Sequence, residues 1–234
     1  MDAHIKIINE SISSRISGRK DKVFILEAGC GSASWFDIGA NADVVGVDIS
    51  WSQLYKNKTL DHKILGDIVT LGFKPASFDV IICCDVLEHV KRPELAIANF
   101  CNSLKDGGII VILVPNVLSL KGLATKFTPM RFHQWVYKKI YRYKSKPFPT
   151  YCRFAISPGA LRRFAKSNNL DVYWESYRLK WIQTLRTKST LFHAIYVILG
   201  LLLKVLTIGA IAVSETEFVI VYKKAGMPRS PSVI

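Results

Sequence analysis

The chain has 234 residues, half of them hydrophobic, and carries 32 Lys and Arg against 18 Asp and Glu, a formal charge of +14. That length gives one domain, or one with a sizeable insertion, and the apolar content excludes wholesale disorder. The five cysteines (Cys30, Cys83, Cys84, Cys101, Cys152) form no Cys-x-x-Cys pair and no zinc spacing, which reads as a chain kept in a reducing compartment.

The first twenty residues place apolar side chains at helical spacing and predict a helix lying on a sheet. Their polar, mixed-charge character is not that of a secretory leader. Next comes VFILEAGCGSAS, a short apolar run ending in Glu27 and followed by Gly29 and Gly31. Such a run predicts a buried parallel strand, Val23–Ala28, entering a tight turn where glycines let the backbone approach a ligand. A second apolar run, 44–48, ends at Asp48, placed to accept hydrogen bonds from a ribose diol.

Further strands are predicted over His62–Leu65, Phe78–Cys84 and 109–114, with Gly66-Asp67 closing one and Asp85-Val86-Leu87-Glu88-His89 following another. A helix over 93–104 begins at Pro93, which suits a first turn. The alternation of strand and helix predicts a doubly wound parallel sheet, with its ligand beyond the carboxyl ends of the strands.

After Pro115-Asn116 the character changes. Residues 118–151 are basic and aromatic, and no Asp or Glu occurs between Asp106 and Asp171 while twelve Lys or Arg do. That stretch admits three readings: a solvated face, an amphipathic lid touching membrane or lipid, or a nucleic-acid contact. Ser157-Pro158 predicts a helix start, and 172–179 and 218–223 read as two more strands.

Between those strands lie 23 mostly apolar residues, 191–213, long enough for a membrane span. A single crossing would strand the segment 218–223 on the wrong side of the bilayer from its sheet, and Lys204 near the centre would cost a few kcal/mol. The favoured expectation is an interfacial or re-entrant helical hairpin breaking near Gly200 or Thr207. A buried core or dimer element is the next reading, and a true span the last.

These four motifs, in this order and with these gaps, resemble the class I S-adenosylmethionine-dependent methyltransferases, and within them the ubiquinone-type O-methyltransferases. The resemblance covers 23–116 and, more loosely, 157–224. It implies one α/β domain over 1–234: a Rossmann-like doubly wound seven-stranded sheet, its last strand antiparallel, with helical insertions after strand 5 and between strands 6 and 7.

It also implies a cofactor, S-adenosylmethionine, cradled by the backbone around Glu27, Gly29 and Gly31. Asp48 and Ile49 would sit at the ribose, Asp67 and the Ile68 amide at the adenine edge, and Asp85 at the same site. Ala33 stands where the family often has a third glycine.

In the ubiquinone-type relatives a Glu-x-x-Glu-His run binds a divalent cation. Here Asp85, Glu88 and His89 occupy those positions, a donor set that suits magnesium, manganese or zinc. The alternative roles for Glu88 and His89 are proton removal, substrate contact or shaping of the loop, and His133 is a second catalytic candidate in the acceptor-side insertion.

The implied partner is a small-molecule or lipid-like acceptor, met in the cytoplasm or at a membrane periphery. An RNA methyltransferase is the first alternative, suggested by the charge and disfavoured because Pro115-Asn116 lacks the Asn/Asp-Pro-Pro-Tyr-like pattern of amino-directed nucleic-acid enzymes. An inactive scaffold built on the fold is the remaining alternative. The acceptor and the oligomeric state have no signal in the sequence.

Overall fold

The computed structural model describes residues 3–34, 36, 41–139, 148–209 and 211–226. Seven strands form one sheet: β1 (Val23–Ala28), β2 (Ala42–Asp48), β3 (His62–Leu65), β4 (Phe78–Cys84), β5 (Leu104–Pro115), β6 (Leu170–Arg178) and β7 (Glu217–Lys224), in the order β3-β2-β1-β4-β5-β7-β6. The first five pair in parallel. β7 enters antiparallel between β5 and β6, as the resemblance implies.

The pairing follows from the side chains. β4 is buried along almost its whole length, the pattern of a central strand covered on both faces. On one face, helix α1 (Ala3–Ile16) lays Ile8 and Ile12, one turn apart, against Val23, Ile25, Val80 and Val221. On the other face, α3 (Pro93–Ser103) and α6 (Pro158–Ser167) bury Ile97, Phe100 and Leu161 against Ile81, Ile112 and Tyr222. Ser157 caps α6 as predicted, accepting the Ala160 amide.

β5 begins five residues earlier than the expected 109. Its register with β4 shifts between Phe78 and Val80, a bulge that takes up the chain around Gly107, whose φ is +73°. At the same end of the sheet Asp79 receives hydrogen bonds from Lys105, the Phe24 amide and Arg19. Burial alone would raise its pKa, but those donors hold it below the usual carboxylate value.

The insertion after β5 forms two helices, α4 (Leu120–Phe127) and α5 (Met130–Lys139); residues 140–147 of the expected 118–151 insertion lie outside the described set. Between β6 and β7 stand α7 (Lys180–Lys188) and α8 (Thr190–Leu206). The one-turn helix Trp51–Leu54, α2, follows β2.

The apolar segment 191–213 is a helix with a return strand of chain. α8 stops at Thr207, and Ile208 and Gly209 turn it back with φ of +50° and +82°. Ala212 then bridges to Ser119, and the Tyr196 hydroxyl donates to the Val213 carbonyl at 2.8 Å. The break therefore falls at Thr207 and not at Gly200. Gly200 is a packing notch instead, since a Cβ there would lie 2.4 Å from Val213. No described helix is long and apolar enough to cross a membrane.

Candidate active site

Because β2, β1 and β4 are neighbours, their carboxyl ends bring Asp48, the turn after Ala28 and Asp85 to one edge of the sheet, on strands about 4.8 Å apart. The turn is held from below: the amides of Gly29 and Cys30 both donate to the Val47 carbonyl, at 2.7 and 3.1 Å. Gly29 and Gly31 take φ of +72° and +56°, where side chains are strained.

The two glycines differ in what surrounds them. A Cβ on Gly29 would meet Val86 at 2.3 Å, whereas one on Gly31 would project into open space. Gly29 thus lets the β4 loop close onto the turn, and Gly31 leaves its flank open to a ligand.

Asp48 caps this flank. One carboxylate oxygen accepts the Gly31 amide at 2.9 Å and the other the Ser50 amide at 2.8 Å. Each oxygen keeps a second lone-pair direction for an incoming hydroxyl. Ile49 beside it is 77% exposed.

Glu27 is buried, its pKa raised by desolvation, and it accepts a hydrogen bond from Ser34, to which Thr59 in turn donates. Asp67 accepts the Val69 amide through its side chain and the Thr70 and Leu71 amides through its carbonyl, forming a turn. Asn99 donates to the carbonyls of Ile68 and Val69 at 3.1 and 2.9 Å and fixes that turn. Residues 35 and 37–40, which continue the first turn, lie outside the described set.

The loop after β4 is built differently. Asp85 holds φ +55°, a conformation that Asp tolerates better than bulkier residues, and its amide donates to the Leu113 carbonyl. Glu88 turns into the interior at 5% exposure, and its Oε2 has no hydrogen-bond partner among the described residues. Burial, then the charge of Asp85, push its pKa up to about 8.

His89 stays at the surface of the cleft. Its Nδ1 lies 2.7 Å from the Pro149 carbonyl, its ring meets Phe148 edge-on, and its Nε2 is 3.9 Å from Glu88 Oε1. Burial lowers its pKa, against a smaller upward pull from the carbonyl. The Glu88 carbonyl also receives the amides of Tyr151 and Cys152, so residues 148–152 strap across the loop.

The expected metal trio is not assembled. Among the described residues no three His, Cys, Asp or Glu side chains are grouped to share a cation. The reason is local: Glu88 is folded inward and His89 Nδ1 is committed to Pro149. His133 likewise is not joined to this loop by any hydrogen bond or ring contact among the described residues. Its Nε2 lies 3.0 Å from the Thr128 hydroxyl, stapling the turn between α4 and α5.

Sequence reasoning missed Lys121, half-buried on the first turn of α4, whose pKa is lowered by desolvation against the pull of Glu217, Asp85 and Glu88. Glu217 in turn pairs with the buried Arg178 at 3.5 Å. These charges come from the loop after β4, α4, β6 and β7, so no local motif could announce them. A cavity of about 470 Å³ opens nearby, lined in part by Asn116, Arg162, Tyr177, Lys204 and Val213.

Residues 26–112 match the family described as a methyltransferase domain. An uncharacterized protein of Methanocaldococcus jannaschii is 31% identical over 49% of this chain and 52% of its own. The ubiquinone biosynthesis O-methyltransferase of Idiomarina loihiensis is 30% identical over 37% of this chain and 40% of its own. The chain thus spans about half or less of the length of these curated relatives.

Among solved structures, phosphoethanolamine N-methyltransferase 2 of Haemonchus contortus, in complex with S-adenosyl-L-methionine, overlays with a TM-score of 0.56 at 16% identity. That overlay covers 94% of this chain and 52% of the other, a likeness of fold. Domain, fold and the glycine turn are together similar to those of the class I S-adenosylmethionine-dependent methyltransferases. Its curated relatives include ubiquinone-type O-methyltransferases.

Proposed function

We propose that the protein methylates an oxygen of an amphiphilic small molecule (a quinone precursor, a lipid or a lipid-linked sugar) at a membrane surface, with S-adenosylmethionine as donor. The observation that carries the donor half is the Asp48 carboxylate bracing the Gly31 amide at the open side of the turn. In this reading Asp48 holds the ribose hydroxyls and Ile49 packs beside the adenosine. The turn of Asp67 and Ile68 meets the adenine edge, and the backbone around Glu27, Gly29 and Gly31 receives the methionine portion.

Bound there, S-adenosylmethionine supplies an electrophilic methyl for in-line displacement, so the protein must align the acceptor and remove its proton. His89 suits proton removal. A carbonyl only accepts, so the contact to Pro149 places the hydrogen on Nδ1 and leaves the Nε2 lone pair free. Burial keeps the ring neutral near pH 7. The acceptor hydroxyl passes its proton to Nε2 as the new oxygen–methyl bond forms. Glu88, with its raised pKa, is mainly protonated at that pH and adds little competing charge beside the base. The donor set does not fit magnesium, because Glu88 is turned inward and His89 Nδ1 is held by the Pro149 carbonyl.

The cavity lined by Asn116, Tyr177 and Lys204 is the acceptor candidate. Its walls set Arg162, Lys204 and Glu215 beside apolar Leu118, Ile211 and Val213, a mixture that suits an amphiphile. The test is incubation with radiolabelled methyl donor and membrane extracts, followed by extraction of lipids. Label in an organic-soluble product supports the reading; label only in protein or RNA contradicts it.

A further inference from the structure

The exposed face of α8 is the largest feature the chemistry leaves unexplained. His193, Tyr196, Val197, Gly200, Leu203 and Thr207 form a narrow inner stripe at helical spacing. The rest of the helix turns nine large apolar side chains outward, with Lys204 the only charge among them. Val205 and Leu206 are each 78% exposed, and Ile208 at the tip is 97% exposed. An apolar area of this extent in water marks a docking surface.

Its surroundings say what covers it. Phe192 of α8 meets Trp135 of α5 edge-on at 6.5 Å, so the two helices form one surface. α5 adds exposed Arg131, Lys138 and Lys139, and α7, which packs on α8, adds Arg186 and Lys188. No Asp or Glu occurs from 176 to 214. Along α5, α7 and α8 the described residues therefore form an apolar ridge flanked by cations, with the acid Glu215 set back at the cavity, the pattern of a segment that lies in the plane of an anionic lipid leaflet.

We infer that α8 and the 207–209 turn seat in the headgroup and upper acyl region of an anionic membrane, with α5 and α7 resting on the lipid phosphates. A second protein copy would bring a like-charged rim against this one, which disfavours it as the occupant. Lys204, Gly209 and Val213 also line the cavity assigned to the acceptor. Docking therefore sets the hairpin wall of that cavity against the leaflet in which an amphiphile partitions. The inference rests on the membrane-proximal reading above for its purpose, and on the helix face for its geometry.

The test is co-sedimentation of the full chain with vesicles of phosphatidylcholine alone and of phosphatidylcholine with phosphatidylglycerol. S-adenosylmethionine affinity is measured on the same samples. Two variants accompany it, both at exposed positions: Ile198→Ser/Leu202→Ser/Val205→Ser, and Lys138→Glu/Lys139→Glu/Lys188→Glu.

The expected result is binding to the anionic vesicles, weakened roughly tenfold or more by either variant and by raised salt, with cofactor affinity unchanged. Absence of vesicle binding overturns the inference, whether the protein sediments as a monomer or as a dimer that the serine variant dissociates. Equal binding to neutral vesicles, unaffected by the charge variant, overturns the anionic partner. Vesicle binding without cofactor binding would leave the docking standing and sink the enzymatic reading alone.

Discussion

The Asp48 carboxylate accepts the amide hydrogen of Gly31 at 2.9 Å, tying the tip of β2 to the turn that follows β1. One residue thereby shapes the turn and, in the proposed reading, offers its remaining lone pairs to the ribose. Asp48→Ala is expected to weaken S-adenosylmethionine binding by about a hundredfold or more. Two charge-assisted hydrogen bonds contribute roughly 3 kcal/mol or more together. The fold should survive, with a melting temperature lowered by a few degrees. Isothermal titration and thermal denaturation check both halves, and unchanged affinity would remove the ribose role.

Gly29 and Gly31 should separate in their effects. Gly29→Ala drives a methyl group into Val86 at 2.3 Å in a left-handed backbone, so stability should fall by about 2 kcal/mol or more. Gly31→Ala faces open space and should cost only about 1 kcal/mol of stability, while cofactor affinity falls at least about tenfold as the methyl enters the ligand's place. Equal effects on stability would contradict this division.

His89→Gln should lower turnover by about a hundredfold or more, the usual contribution of a positioned base, and leave cofactor affinity within about twofold. Because burial lowers the His89 pKa from 6.5, the acid limb of kcat/KM should lie below that value. The sign for stability is the same. Below pH 6.5 the unfolded chain gains a proton that folded His89 resists, so this residue erodes stability as the pH falls. A limb above pH 7 would argue against His89 as the base.

Glu88 has the opposite linkage. Its folded pKa is raised to about 8 from 4.5, so the folded state holds a proton that the unfolded chain has released between those values. Its contribution to stability is complete below pH 4.5 and is lost progressively as the pH rises toward 8. Glu88→Gln should therefore flatten the fall in melting temperature between pH 5 and 8, and an unchanged slope would assign that fall elsewhere.

The parallel half of the fold was legible because its signals are local. Buried runs such as Val23–Ala28 and Phe78–Cys84 are bounded by turn residues, and the observed strands keep those limits. The residues proposed for the donor side stand where the pattern put them, at the ends of strands, for the same reason. The misjudged pieces depend on contacts distant in the chain. Gly200 reads as a helix breaker until Val213 packs onto it. Asp85-x-x-Glu88-His89 reads as a ligand trio until burial turns Glu88 inward and Pro149 claims His89. Lys121 meets Glu217 only because β7 slots between β5 and β6.

The central claim is that the glycine turn braced by Asp48 is a working donor site. Calorimetric titration of the purified chain with S-adenosylmethionine and with its demethylated product, each with and without magnesium, tests it most directly. The account predicts micromolar binding of both, unaffected by magnesium and lost in Asp48→Ala. A folded sample that releases no heat with either ligand would contradict it.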